Sequence, residues 1–347
     1  MATELEYAAL SAFVYNDQRG GGNDSVINRL QLPSGWQNLA LLGFAAGDNL
    51  NNYNPFSFTG GAYINQATGE IVVAYKGTDF LLEFSGRALN TVSDIVTDVS
   101  LALALRGLGV YNLQQLAASS YFLAVKDWAA SNGYNGNNIS FTGHSLGGGL
   151  ASNMAVWFNR PATTFAEAPF ELSTVNPEAI LVAATTLTLQ AGATASAAVL
   201  EEINNLRDLL IPGTYTDRES AVTNYYNQDE FLSYLRSNWP TVVGAGKDIP
   251  IDIGPQSVKD ALALHSMNLH AAFLYDDRLR NLAKTMPELV PALLNPALYF
   301  ADPNSTTKDL ITTLVNDQLR QGFAADSALK RFTSSTGVRS CNQTNSN

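Results

Sequence analysis

Near the start of the chain, apolar residues recur at Leu5, Ala8, Ala9, Ala12 and Phe13. This three-and-four spacing puts them on one side of a helix. The same stretch has no basic lead and no unbroken apolar run, so it does not read as a secretory signal. Further on, the period changes. Residues 61–65 and the β-branched run 70–76 flank Ala67-Thr68-Gly69, which predicts a hairpin. Residues 113–133 return to helical spacing and stop at Gly133. A short apolar strand is expected at 138–141, a helix from 145 to 159, and another strand over 163–169 ended by Pro169. A strand over 220–227 precedes a helical stretch at 229–236. Strands alternating with helices imply an α/β fold with a mostly parallel central sheet flanked by helices on both faces.

The region 176–212 breaks that rhythm and reads as a helical insertion or cap. Within it, residues 179–200 carry no charge, and their length would suffice for a membrane span. They are mostly Ala and Thr, interrupted by Gln190 and Gly192, so a helix packed over the domain is expected and no transmembrane segment. Residues 286–300 and 305–323 look helical. We expect one catalytic domain over 1–335 and a polar, disordered tail over 336–347.

The formal net charge of −11 speaks against nucleic acid and against electrostatic docking on anionic lipid. A single cysteine, Cys341, precludes an internal disulfide and a cysteine-based metal site. No metal or other cofactor is expected. Three weaker motifs carry little. Residues 20–28 look like one glycine-rich calcium repeat, but such repeats act in stacks. Residues 244–248 lack the spacing of a phosphate loop, and 107–112 lack the third glycine of a dinucleotide fingerprint.

The candidate chemistry lies in "NISFTGHSLGGGL", residues 138–150. Its G-x-S-x-G pattern occurs by chance on the order of 0.1 times in a chain of this length. What makes it specific is its place between a predicted strand and a predicted helix, where a nucleophile elbow belongs. Side chains at Gly143 and Gly147 would collide with the neighbouring strand and helix. The bland alternative is a glycine turn in which Ser145 only caps a helix.

A serine needs a base. His144 adjoins Ser145 and is expected to pack beside the turn. His265 and His270 are five positions apart, about 140° around a helix, so only one can serve. His265 is preferred because it ends an apolar run ahead of a helix; His270 is the alternative base. The acid that holds the imidazole should follow a strand and lie between serine and histidine in sequence. Asp229 fits best, Asp248 or Asp252 in the expected loop over 244–254 next, while Asp217 precedes the strand. Asp229 could also simply cap the helical stretch behind it.

Taken together, these segments resemble the class 3 (fungal-type) lipases of the α/β-hydrolase superfamily, in a bacterial-type version. The resemblance rests on "VVAYKGTD", "SDIVTDVSLAL", "ISFTGHSLGGGLAS", "TTFAEAPF", "VTNYYNQDEFLSYL" and "HSMNLH", in that family's order over residues 60–275. It implies the α/β-hydrolase fold, Ser145 as nucleophile, Asp229 as acid and His265 as base. It also implies an oxyanion hole from the N–H groups of Thr78 and Leu146. Lys76 stands where that family has Arg, and Lys cannot make a bidentate fork. Lid candidates are residues 80–96 and 179–200. The expected activity is hydrolysis of carboxylic esters, acylglycerols or other lipid-like acyl esters, with a lipid interface as the possible setting. Phospholipase A-type, polyester-hydrolase and acyltransferase activities, or an inactive binding module of the same fold, are the alternatives.

Overall fold

A computed structural model of the chain describes residues 1–17, 32–45, 58–77, 110–233, 241–256 and 261–289. Seven strands form one sheet in the order β1 (Trp36–Asn38), β2 (Gly60–Asn65), β3 (Glu70–Tyr75), β4 (Ile139–His144), β5 (Ala162–Phe165), β6 (Val222–Asn227) and β7 (Asp248–Ile251). The first three pair antiparallel and the remaining ladders are parallel. The expected hairpin is β2–β3. Its turn closes on Asn65, whose carbonyl accepts the Gly69 N–H and whose side chain accepts the Ala67 N–H.

Helices cover both faces. On one lie α2 (Val110–Ser131) and α3 (Leu146–Phe158), over Ile71, Val73, Tyr75, Ile139 and Phe141. On the other lie α1 (Glu4–Asp17) and α9 (Met267–Tyr275), over Tyr63, Val72, Ala74 and Phe165. Successive strand residues point to opposite faces, so each strand feeds both cores. The predicted stripe on α1 is there, but this helix is buried on nearly all sides, with Leu5 and Phe13 only half covered. Tyr7, Ser11 and Tyr15 face the sheet as well.

Between β5 and β6 the chain is helical, as expected: α4 (Glu171–Thr174), α5 (Pro177–Ala191), α6 (Ala197–Asp208) and α7 (Thr214–Glu219). Asn176 caps α5 by accepting the Glu178 and Ala179 N–H groups, with Pro177 at its first position, and Ser196 caps α6. Helix α5 buries Ala179, Ile180, Ala183, Ala184 and Leu187 and leaves Leu181, Val182 and Leu189 exposed. The insertion is tied down by charge. Buried Glu202 takes Lys126 at 2.6 Å and also Arg160. Arg218 donates to the Val156 and Trp157 carbonyls at the end of α3.

Three expectations are corrected. Strand β4 runs through Gly143 and His144 rather than stopping at Phe141, because β3 and β5 pair with it on both sides as far as those residues. Residues 228–232 turn instead of starting a helix at Asp229. Strand β7 forms within a stretch expected to be a loop, paired to β6. The lid candidate at 80–96, the predicted helix at 305–323, most of that at 286–300 and the tail lie outside the described residues. Among the described residues no helix is long and apolar enough to cross a membrane.

Candidate active site

Strand β4 delivers Ser145 to the C-terminal edge of the parallel ladder, and α3 leaves from it. Ser145 sits at φ 60°, ψ −127°, a conformation that an L-residue adopts only at a cost of about 1–3 kcal/mol. Its surroundings enforce it. The Ser145 N–H donates to the Phe165 carbonyl at 3.0 Å, and its carbonyl accepts from Gly149 and Ala168 at 3.1 and 2.9 Å. A Cβ at Gly143 would collide with the Gly147 carbonyl, and one at Gly147 with the Tyr75 carbonyl. The Ser145 hydroxyl does not cap α3. It is buried without a hydrogen-bond partner among the described residues. The bland alternative of a capping serine therefore does not describe this turn. Leu146 opens α3, so its N–H has no carbonyl partner within the helix. Thr78, the other expected oxyanion donor, lies outside the described residues.

The three histidines gather behind the elbow. The His144 ring centroid is 4.6 Å from that of His265 and 5.7 Å from that of His270. His265 occupies the turn between α8 (Ala261–Leu264) and α9. Its Nδ1 is 2.7 Å from Glu230 Oε2, and its Nε2 is buried with no partner among the described residues. His270 differs. Its Nε2 accepts the Asn227 N–H at 3.1 Å and its Nδ1–H donates to the Ser266 carbonyl at 2.9 Å. Both ring nitrogens of His270 are thus occupied, and the bond to Asn227 ties α9 to the end of β6, which leaves it poorly suited as a base. His144 donates from Nε2 to the His265 carbonyl at 2.7 Å. Burial, and then the neighbouring His265 and His270, hold its pKa well below the usual imidazole range.

The acid is where the geometry departs from expectation. Asp229 does follow β6, but its carboxylate accepts the Gln256 N–H at 2.9 Å and does not meet His265. Asp229 adopts φ 61°, the left-handed region that short polar side chains tolerate best. That twist carries the next side chain inward. Glu230 is 0 % exposed, and its Oε2 also accepts the Leu232 N–H at 2.8 Å. The other aspartates lie elsewhere. Asp248 accepts from Asn224 Nδ2 at 2.6 Å. Asp252 is exposed, and the bond from Lys284 together with the Gly254 N–H holds its carboxyl below the ordinary carboxylate range. Asp217 is on α7. The signal for Glu230 was present as two consecutive acids after a strand, of which the Asp is the better left-handed turn residue.

Two further residues went unnoticed in the sequence. Tyr15 reaches the elbow from α1, and Asn227 donates from Nδ2 to the Leu264 carbonyl at 2.7 Å, just ahead of His265. Neither belongs to a sequence motif. Among the described residues no group of three His, Cys, Asp or Glu side chains could hold a metal ion.

Comparison with known proteins places the chain at the level of family. The model of the phospholipase-like family described as the Tle-like phospholipase domain matches residues 6–291. No curated protein matches the chain. The match supports a lipid-ester hydrolase, a lipase or phospholipase, rather than a class 3 lipase in particular. It covers all seven strands, the elbow and the three histidines, so the chain belongs to the family of Tle-like phospholipase domains.

Proposed function

We propose that the protein is a serine hydrolase of α/β-hydrolase fold that cleaves carboxylic esters of phospholipids, with Ser145 as nucleophile, His265 as base and Glu230 as acid. The observation that carries this reading is the 2.7 Å contact of His265 Nδ1 with Glu230, while Ser145 Oγ and His265 Nε2 are both buried and unmatched among the described residues. Glu230 replaces Asp229 here, because a carboxylate can fix the imidazole tautomer only by accepting its Nδ1–H.

In this mechanism His265 Nε2 takes the Ser145 proton as Oγ attacks the ester carbonyl. The oxyanion is received by the Leu146 N–H, with Thr78 as the second donor that the family resemblance implies. His265 returns the proton to the departing alcohol. A water, deprotonated by the same nitrogen, then releases the acid and frees Ser145. No cofactor takes part. A phospholipid ester is favoured over an acylglycerol by the family's description alone.

The test is labelling of the folded protein with a fluorophosphonate, followed by analysis of fatty acid released from phosphatidylcholine and phosphatidylethanolamine vesicles. Wild type is expected to take one adduct, Ser145→Ala none, and only wild type to release fatty acid. Absence of an adduct on wild type sinks the hydrolase reading. An adduct without phospholipid cleavage, alongside turnover of p-nitrophenyl esters, sinks only the substrate assignment.

A further inference from the structure

Helix α1 meets β4 through three polar pairs in register. Tyr7 Oη donates to Ser140 Oγ at 2.9 Å, Ser11 Oγ and Thr142 Oγ1 are 2.7 Å apart, and Tyr15 Oη is 3.0 Å from His144 Nδ1. Four helical residues rise about 6.0 Å and two strand residues about 6.6 Å. Steps of four on α1 therefore keep pace with steps of two on β4. The first two pairs join scaffold to scaffold. The third ends beside the nucleophile.

Hydrogen-bond direction at the third pair is set by its neighbours. A carbonyl can only accept, so His144 carries its proton on Nε2, facing the His265 carbonyl. Nδ1 of the neutral ring is then an acceptor, and Tyr15 donates to it. The Tyr15 oxygen in turn accepts the Gly77 N–H at 3.1 Å. Gly77 precedes Thr78 and presses on the elbow: a Cβ there would lie 2.5 Å from Tyr15 Oη, 2.6 Å from the His144 carbonyl oxygen and 3.0 Å from Ser145 Cβ. The Lys76 ammonium stands 5.9 Å from the Tyr15 ring centroid. One chain of hydrogen bonds thus runs from the end of β3 through Tyr15 and His144 to the backbone of His265.

We infer that Tyr15 and His144 are positioning residues, which hold the oxyanion strand end, the nucleophile turn and the base loop in one register. Helix α1 is then part of the catalytic apparatus rather than a cover for the sheet. The inference rests on the serine-hydrolase reading above. Neither residue touches substrate in this account. Each acts through the placement of Gly77, Ser145 and His265.

The test compares two tyrosines of the same helix. Tyr15→Phe is expected to lower kcat about 10- to 100-fold with KM unchanged within about twofold, as small misplacements of reacting groups do. Tyr7→Phe loses a buried bond of similar kind and should melt earlier by a similar amount, yet keep kcat within about twofold of wild type. A second series addresses His144. Asn keeps an acceptor near the Nδ1 position and Gln a donor near Nε2, so His144→Asn and His144→Gln should each retain more kcat than His144→Phe. Equal kcat in Tyr15→Phe and Tyr7→Phe overturns the inference. If Tyr15→Phe fails to fold, an equal loss in all three His144 variants does so instead. Wild type that takes no Ser145-dependent fluorophosphonate adduct brings down the hydrolase reading and the inference together. An adduct with unchanged kcat in Tyr15→Phe brings down the inference alone.

Discussion

Strands β4 and β6 are each followed by a non-glycine residue at positive φ, Ser145 at 60° directly after β4 and Asp229 at 61° two residues beyond β6. The two bends use strain differently. At β4 the strained residue is itself the one presented to the site, and backbone presses on it from β3, β5 and α3. At β6 the strained residue is only the pivot. Its carboxylate turns to the Gln256 N–H, and the following residue, Glu230, meets His265. A left-handed bend after a strand therefore does not say which of two adjacent side chains turns inward.

The contrast can be broken most severely at the elbow. Gly147→Ala would force a methyl group onto the Tyr75 carbonyl, where only backbone movement can relieve it. A loss of about 3 kcal/mol or more is expected, read as a lower urea midpoint or no soluble protein. A variant as stable as wild type would mean that the elbow is not held by close packing.

Acid should act next, through the His144 imidazole beside the elbow. His144 has its folded pKa pushed below its ordinary 6.5, so between those two values the unfolded chain binds the proton first. The stability contributed by neutral His144 is complete above about pH 6.5 and is lost as pH falls below it, with a slope of at most about 1.4 kcal/mol per pH unit. Urea unfolding of wild type at pH 7.0 and 5.5 should therefore differ by more than in His144→Gln. Equal differences would mean that His144 is not buried neutral.

The smallest effects separate the bends themselves. Ser145→Gly should relieve strain and raise stability by up to about 1 kcal/mol while abolishing turnover. Asp229→Gly gains the same relief but gives up the bond to Gln256, so its net change should lie within about 0.5 kcal/mol of zero. Thermal melts of the pair check this, and the reverse ranking would put the greater strain at Asp229.

Much of this was legible in the sequence. The alternation of strand and helix predicted the parallel core, and the G-x-S-x-G stretch predicted the elbow, because its glycines are demanded by local backbone collisions. The preference for His265 rested on its place ahead of a helix, and the structure puts it in a turn against a carboxylate. Which of two adjacent acids faces that turn was not legible, since a single φ decides it. Strand β7 was missed because "DIPI" holds a proline and too few apolar residues to stand out, and it is defined by pairing with β6. Tyr15 was missed because its partner is more than a hundred residues away in sequence, and polar pairs across such a distance leave no periodic trace.

The central claim is that Glu230, not Asp229, orients His265. The most direct measurement is kcat for Glu230→Gln and Asp229→Asn on one phospholipid substrate, with folding checked by thermal melt. We expect Glu230→Gln to lose on the order of 10³- to 10⁴-fold, as when a triad acid becomes an amide, and Asp229→Asn to stay within about tenfold of wild type. A loss in Asp229→Asn that matches or exceeds that in Glu230→Gln would contradict the account.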